Sequence, residues 1–195
     1  DLAGEGYALC TTNPKGSHAD LTDDYAAIRR EMEAVAECFG KKVLREVEEA
    51  EVVAAIPAIR AKVGDRAVLR ALHFYSECHR AVALRQALEE KDFPGFLRRI
   101  IAGGHSSFEY NQNAYSIHNP AEQGVPLALA ISQRVLEGRG AWRLQGGGFA
   151  GTIQAFVPLD LLESYRTAID GIFGAGSCHV LTVRNHGAIE VTRDL

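Results

Sequence analysis

Several features that would mark out whole classes of protein are missing from this sequence. No apolar run approaches the ~20 residues that a membrane-spanning helix needs, and the N-terminus lacks the basic-then-apolar pattern of a secretion signal. The formal net charge of −4 gives no electrostatic reason to expect nucleic acid. The sequence contains no internal repeat and no low-complexity tract. We therefore expect a globular chain that binds neither membranes nor nucleic acids.

Cysteine is sparse and widely scattered. The four residues are Cys10, Cys38, Cys78 and Cys178, and none of them forms a Cys-x-x-Cys pair. This spacing argues against a zinc site or a redox motif, so we predict no metal site. Cys38 and Cys78 fall at apolar positions of predicted helices, which indicates buried thiols. A reducing, cytoplasmic compartment fits this use of cysteine best.

The order of the predicted elements indicates the fold class. The 195 residues, 47% apolar and 24% charged, suit one globular domain over residues 1–195. Strand-like segments lie at both ends and in the middle, with helices grouped between them. This order predicts an α+β fold, an antiparallel sheet with helices layered on it. The predicted strands are Gly6–Thr12, Ala141–Leu144, the segment with Ile153, Ala155 and Val157 on one face, Cys178–Val183, and Ala188–Val191 after a hairpin at Asn185-His186-Gly187.

The predicted helices are bounded by recognisable capping residues. A long helix from Gly64-Asp65 to about Glu90 has apolar residues around much of its circumference, so we expect it to be central and largely buried. The other predicted helix starts are Thr22 as an N-cap, Asp92, Asn119-Pro120-Ala121-Glu122, and Asp160–Glu163 as a capping box.

A glycine-rich stretch between two of the predicted strands is the most distinctive feature of the chain. Gly146, Gly147, Gly148 and Gly151 fall within six positions. Successive free N–H groups in such a loop form a concavity that favours anions. The stretch could therefore lie against a phosphate, or it could be a hairpin turn with no ligand. The glycines alone favour the hairpin, because the Lys-Ser/Thr of a P-loop is missing.

Three further segments of the chain also carry distinctive motifs. They are Asn13–Arg30, which contains Asp23-Asp24-Tyr25; Arg70–Glu77, which contains His73; and Gly104–Phe108. Together with the glycine stretch, they resemble the motifs of galactokinases, members of the GHMP small-molecule kinase superfamily. The segments follow the family's order and spacing and cover nearly the whole chain.

The resemblance implies a fold and a place within a larger enzyme. It implies the ferredoxin-like C-terminal domain of a GHMP kinase, with the N-terminal ATP-binding half absent from this chain. That half would carry the catalytic base, the nucleotide loop and the main sugar motif, so we expect no catalytic residue here. The full enzyme would use ATP and Mg²⁺ to phosphorylate the 1-hydroxyl of galactose or a related sugar. The fragment alone is expected to be inactive and to bind neither cofactor.

The resemblance also implies roles for particular residues. Tyr25 would contact the sugar through its hydroxyl, and Gly146, Gly147, Gly148 and Gly151 would lie on the phosphate side. The partners would be the sugar and the enzyme's own N-terminal domain. The helical periodicity alone favours Tyr25 as a core tyrosine. We interpret His73 and Glu77, four residues apart on one helix, as a structural pair.

Two alternative functions share the same motifs. One is a galactokinase-like protein that senses sugar and ATP and signals to a regulatory partner without catalysis. The other is a different GHMP kinase, although the context of Tyr25 argues against it.

The sequence departs from the family pattern at a few positions. Ser17 stands where a basic residue is usual, and Lys15 could compensate for it. Gln145 replaces a threonine. Ala150 replaces a glycine, and it would be strained if that position needed a positive φ.

Overall fold

The computed structural model describes residues 2–17 and 20–183. The strands are Tyr7–Thr12 (β1), Ala141–Gln145 (β2), Thr152–Pro158 (β3) and Cys178–Leu181 (β4). The helices are Thr22–Glu37 (α1), Glu49–Ala54 (α2), Ile56–Val63 (α3), Asp65–Glu89 (α4), Phe93–Ser106 (α5), Gly124–Leu136 (α6) and Leu162–Phe173 (α7). Short 3₁₀ turns cover Leu44–Glu46 and Leu159–Leu161, and a π-helical turn, Ser107–Asn111, extends α5.

The four strands form one antiparallel sheet in the order β2-β3-β1-β4. β1 pairs with both β3 and β4, and β2 pairs with β3, with Leu144 opposite Ile153. Along the chain the sheet follows a β-α-β-β-α-β order, with several helices in the first connection, which is the ferredoxin-like arrangement. The predicted α+β fold is therefore confirmed.

Helices cover both faces of the sheet. Alternate residues of a strand point to opposite faces, and apolar residues occur on both. Cys10, Ala155 and Val157 are fully buried on one face, where they pack with residues of α6 and α7 such as Leu136 and Ile169. On the other face, α5 packs its aromatic residues against β3. The Phe96 ring meets the Phe156 ring edge-on, at 5.2 Å between centroids. The sheet is thus the middle layer of the fold.

A second apolar cluster joins α1 to the first half of α4. Val35 of α1 and Ala71 of α4 are fully buried in it. The Tyr75 hydroxyl lies within hydrogen-bond distance of the carbonyl oxygens of Leu44 (3.0 Å) and Val47 (2.9 Å), which share its one proton and hold the turn after α1. This cluster anchors the C-terminal half of α1, while Tyr25 at the other end packs in a separate cluster with Leu21 and Phe149.

The expectation that α4 is buried along its length is wrong. Val82 is 63% exposed and Leu88 is 51% exposed, so burial is concentrated in the first half of the helix. The predicted burial of Cys38 and Cys78 is also wrong, since both thiols are only partly buried. Cys10 and Cys178 are the buried cysteines, and all four are unpaired.

Several predicted boundaries are confirmed and others are not. The Asp92 side chain accepts a hydrogen bond from Gly95 N–H and caps α5 as expected. Thr22 is the first residue of α1 and not its cap. Residues 119–122 form a turn, closed by Glu122 N–H donating to Asn119 C=O, and α6 begins only at Gly124.

The remaining predictions concern the C-terminal part. The predicted capping box at Asp160–Glu163 is wrong. Asp160 lies in a 3₁₀ turn, and α7 begins at Leu162 without a side-chain cap. The predicted strand Ala188–Val191 and its hairpin lie outside the described residues. No helix in residues 2–17 and 20–183 is both long and apolar enough to cross a bilayer.

Candidate functional site

The glycine-rich stretch is the connection of the β2–β3 hairpin. We call residues 146–151 the glycine loop. Its backbone has positive φ at Gly146 (69°), Gly148 (87°) and Phe149 (59°), and Gly151 N–H closes a turn onto Gly148 C=O at 3.0 Å. Positive φ at two positions explains the need for glycine there. The loop is therefore a hairpin turn, a geometry that is compatible with either interpretation.

Tyr25, at the start of α1, lies directly against this loop. Its hydroxyl donates to Gly148 C=O at 2.9 Å. Its ring meets the Phe149 ring edge-on, with centroids 5.0 Å apart and planes at 87°. Gly147 lies so close that a Cβ there would be 2.8 Å from the Tyr25 ring. Two segments that the sequence marked separately are thus in one place.

The hydroxyl of Tyr25 is committed as a donor but not as an acceptor. Its proton is used on Gly148 C=O, so its oxygen lone pairs are what it can offer to a ligand. Burial, and then the charge of Asp24, raise the pKa of Tyr25, so the hydroxyl keeps its proton at neutral pH. The ring belongs to a small cluster with Leu21, Phe149 and Ala150. Tyr25 is therefore a packing residue whose oxygen is still able to bind a ligand.

Asn113 is the residue of this site that the sequence did not reveal. Its backbone C=O accepts from Phe149 N–H at 2.6 Å, and its side-chain Nδ2 donates to Gly147 C=O at 3.0 Å. A Cβ on Gly148 would lie 2.0 Å from Asn113 O. Asn113 is 3% exposed. A contact between one amide and a loop 34 residues away has no local sequence signal.

The departures from the family pattern have structural explanations. Ala150 is not among the residues with positive φ, so it is not strained in that way; Phe149 adopts that conformation instead. Ala150 packs against Gly16, where a Cβ would be only 3.1 Å from its own. The Gln145 side-chain oxygen accepts hydrogen bonds from Thr11 and Thr152, both at 3.4 Å.

The Lys15 side chain extends toward the C-terminal end of α7. Its ammonium lies beside Gly174, where a Cβ would be 2.9 Å from Nζ. A cation is favoured at that end of a helix by the helix dipole.

Two hollows flank the glycine loop. A polar cleft of about 370 Å³ is lined by Ser17, Asp20, Ser116, Glu122 and Ala150, among others. At its base the Ser116 hydroxyl donates to the Asp24 carboxylate at 2.6 Å.

The second hollow is an apolar groove of about 550 Å³ on the other side of Tyr25. Its lining includes Ile28, Met32, Val43, Phe74 and Gly147. Tyr25 lines this groove, and the Phe149–Ala150 end of the loop lines the polar cleft. Tyr25 and the glycine loop together separate the two.

His73 and Glu77 are structural, although they use partners other than each other. His73 Nδ1 lies 2.9 Å from the Ser106 hydroxyl, and burial lowers the pKa of His73. Glu77 pairs with Arg80 and, at 3.0 Å, with Arg143. Among residues 2–17 and 20–183 there is no group of three or more His, Cys, Asp or Glu side chains able to hold a metal ion.

Comparison with known proteins points consistently to galactokinases. No family model matches the chain. The galactokinase of Actinobacillus pleuropneumoniae serotype 3 is 30% identical over 164 residues, covering 84% of this chain and 41% of the relative. That of Glaesserella parasuis serovar 5 is 28% identical over 165 residues, covering 85% and 41%. That of Haemophilus influenzae is 29% identical over 172 residues, with the same coverage of 85% and 41%.

A solved structure confirms the fold. The crystal structure of Lactococcus lactis galactokinase, which holds galactose, aligns with a TM-score of 0.68 over 90% of this chain and 45% of that one, at 18% identity. The chain spans about two fifths of the length of the curated relatives that it matches. The chain is thus similar to galactokinases over most of its own length, which is consistent with a C-terminal fragment of a galactokinase.

Proposed function

We propose that this chain is the C-terminal part of a sugar kinase that transfers the γ-phosphoryl group of ATP to the 1-hydroxyl of galactose or a related sugar. The observation that carries the proposal is the contact between Tyr25 and Gly148. It brings the residue expected on the sugar into direct contact with the loop expected beside the phosphates. Phosphoryl transfer depends mainly on holding donor and acceptor in line, which requires both in one place.

In this proposal Tyr25 orients the sugar as a hydrogen-bond acceptor. Because its proton is donated to Gly148 C=O, a sugar hydroxyl would donate to the Tyr25 oxygen. The glycine loop would present backbone N–H groups of Gly146 and Gly147 to the phosphate side. Phe149 N–H and Gly151 N–H are occupied by Asn113 and Gly148, so they would keep the loop in shape.

The rest of the machinery would come from an N-terminal half of the protein. We assign no catalytic residue and no Mg²⁺ ligand to this chain, and ATP would be held mainly by that half. The apolar groove beside Tyr25, with Ile28, Met32 and Phe74 in its lining, offers that half a surface next to the site. The free thiols of Cys10 and Cys178 are compatible with a cytoplasmic location.

The test is turnover by the intact protein and by residues 1–195 alone. The intact protein should release ADP from Mg-ATP in the presence of galactose, and not with mevalonate or homoserine. The fragment should release none. Binding of galactose and ATP without turnover would indicate a sensor, and turnover by the fragment would contradict the division of roles.

A further inference from the structure

The glycine loop is held by a closed ring of polar contacts that begins and ends on α1. Tyr25 of α1 donates to Gly148 C=O, and the neighbouring residues Gly147 and Phe149 are bonded to Asn113. Three consecutive loop residues are therefore fixed by two partners. The loop end nearest Tyr25 has little freedom to reorient its peptide groups.

The segment that carries Asn113 is itself fixed to α1 through α4. Arg70 of α4 donates from Nε to Asn111 C=O at 3.0 Å. Its Nη1 lies 2.9 Å from the carboxylate of Glu31, six residues after Tyr25 on α1. Arg70 is 2% exposed, so this contact is shielded from water and salt. The ring thus runs from α1 through α4 and Asn113 to the loop, and returns to α1 at Tyr25.

We propose that Asn113 is a positioning residue for the phosphate side of the site. Its side-chain amide holds the Gly147 carbonyl, and this restricts the backbone of Gly147, whose N–H is one of the two proposed for the phosphate side. The carbonyl that Tyr25 contacts belongs to the next residue, Gly148. Asn113 therefore supports the sugar side and the phosphate side together. The proposal rests on the proposed kinase function for its catalytic consequence, but the geometric part stands on the described contacts alone.

A matched pair of variants separates positioning from folding. Asn113→Ala removes the Nδ2 contact to Gly147 and keeps the backbone C=O that accepts from Phe149. Asn111→Ala removes a buried asparagine side chain of the same segment, 7% exposed, that does not contact the loop. It also keeps the Asn111 C=O that binds Arg70. Because Asn111 Oδ1 has no hydrogen-bond partner among the described residues, Asn111→Ala should destabilise the protein less than Asn113→Ala, and urea unfolding measures that difference.

The readouts are the kinetics of the intact kinase and amide hydrogen exchange across residues 145–152. Asn113→Ala should lower kcat by about ten- to a hundredfold, because small displacements of a positioning group have effects of that size. Asn111→Ala should change kcat less than about threefold. Exchange in the loop should accelerate about tenfold in Asn113→Ala alone.

The outcomes distinguish the two proposals. Equal losses of kcat in both variants, or unchanged loop exchange in Asn113→Ala, would overturn the role of Asn113. If the wild-type protein had no kinase activity, the proposed function would fail, and loop exchange would still decide whether Asn113 holds the loop.

Discussion

The Tyr25 hydroxyl hydrogen bonds to the carbonyl of Gly148, 123 positions along the chain, at 2.9 Å. This single contact joins the first helix to the hairpin of the sheet. It makes Tyr25 both part of the fold and part of the candidate site. Substitutions here therefore have to be compared with substitutions of similar structural cost elsewhere.

Replacing Tyr25 with phenylalanine should have two effects. Loss of the bond to Gly148 should reduce the free energy of unfolding by about 0.5–1.5 kcal/mol. Loss of the acceptor oxygen should weaken galactose binding by the intact protein about two- to tenfold. Urea unfolding and calorimetric titration with galactose measure the two effects separately.

Tyr7→Phe is the matched control for that experiment. The Tyr7 hydroxyl also donates to a single backbone carbonyl, that of Arg139, at 2.7 Å. Neither residue belongs to the candidate site. It should cost similar or less stability and leave galactose affinity unchanged. Equal galactose affinity in Tyr25→Phe and wild type would remove Tyr25 from the sugar site.

Two alanine substitutions in the glycine loop should differ in severity. Gly146→Ala places a side chain at φ 69° in open space, so it should cost about 1–2 kcal/mol of stability. Gly148→Ala adds a collision, because its Cβ would lie 2.0 Å from Asn113 O. It should be clearly more destabilising in urea unfolding. Similar losses for both would mean that the loop moves away from Asn113 easily.

Glu31→Gln should be strongly destabilising, because it leaves the buried Arg70 guanidinium without its anionic partner. Removing one member of a buried pair costs roughly 3 kcal/mol. Burial already lowers the pKa of Arg70, which shows that its charge is held in an unfavourable environment. Glu33→Gln, on the same helix in an exposed pair with Arg29, is the control and should change stability little. Equal effects in chemical denaturation would show that the Arg70 charge is well solvated.

Acid should destabilise the protein through His73. Burial lowers its pKa, and the charges of Arg143 and Arg80 act in the same direction, while Glu77 opposes them. The unfolded chain therefore binds a proton at His73 more readily than the folded protein. This contribution to stability is fully present above about pH 6.5 and is lost as the pH falls from there through the folded-state pKa.

A titration of stability against pH measures this contribution. His73→Asn keeps a polar group near Ser106 and does not titrate, so its stability should fall less than that of wild type between pH 7 and about pH 5. His79→Asn makes the same substitution at an exposed position and is the control variant. A His73→Asn curve parallel to wild type would assign the acid sensitivity to other groups.

The sequence predicted most reliably what neighbouring residues determine. The Asp92 cap and the span of α4 depend on local chemistry, and both were predicted correctly. The helix start at Asn119 was wrong because contacts elsewhere decide it. Gly124, where α6 begins, packs against Pro14, with a Cβ position only 3.1 Å from the Pro14 side chain.

The candidate site shows the same division. The family resemblance marked Tyr25 and the glycine loop, and the structure places them in contact. Asn113 was missed because its side chain donates to a backbone carbonyl, that of Gly147. Every residue carries such a carbonyl, so the sequence does not mark the acceptor. The orientation of Lys15 could not be predicted either, because it follows from the position of α7.

The inner position of β1 has a consequence for synthesis of the protein. β1 is made before the other strands of the sheet, and both of its neighbours begin after position 150. At ribosomal speeds, on the order of ten seconds separate their emergence. The helices α1, α4 and α5 can associate in that interval. The apolar residues of β1 have no neighbouring strand to pair with until β3 emerges. A nascent chain of this protein should therefore be most exposed to aggregation just before β3 emerges.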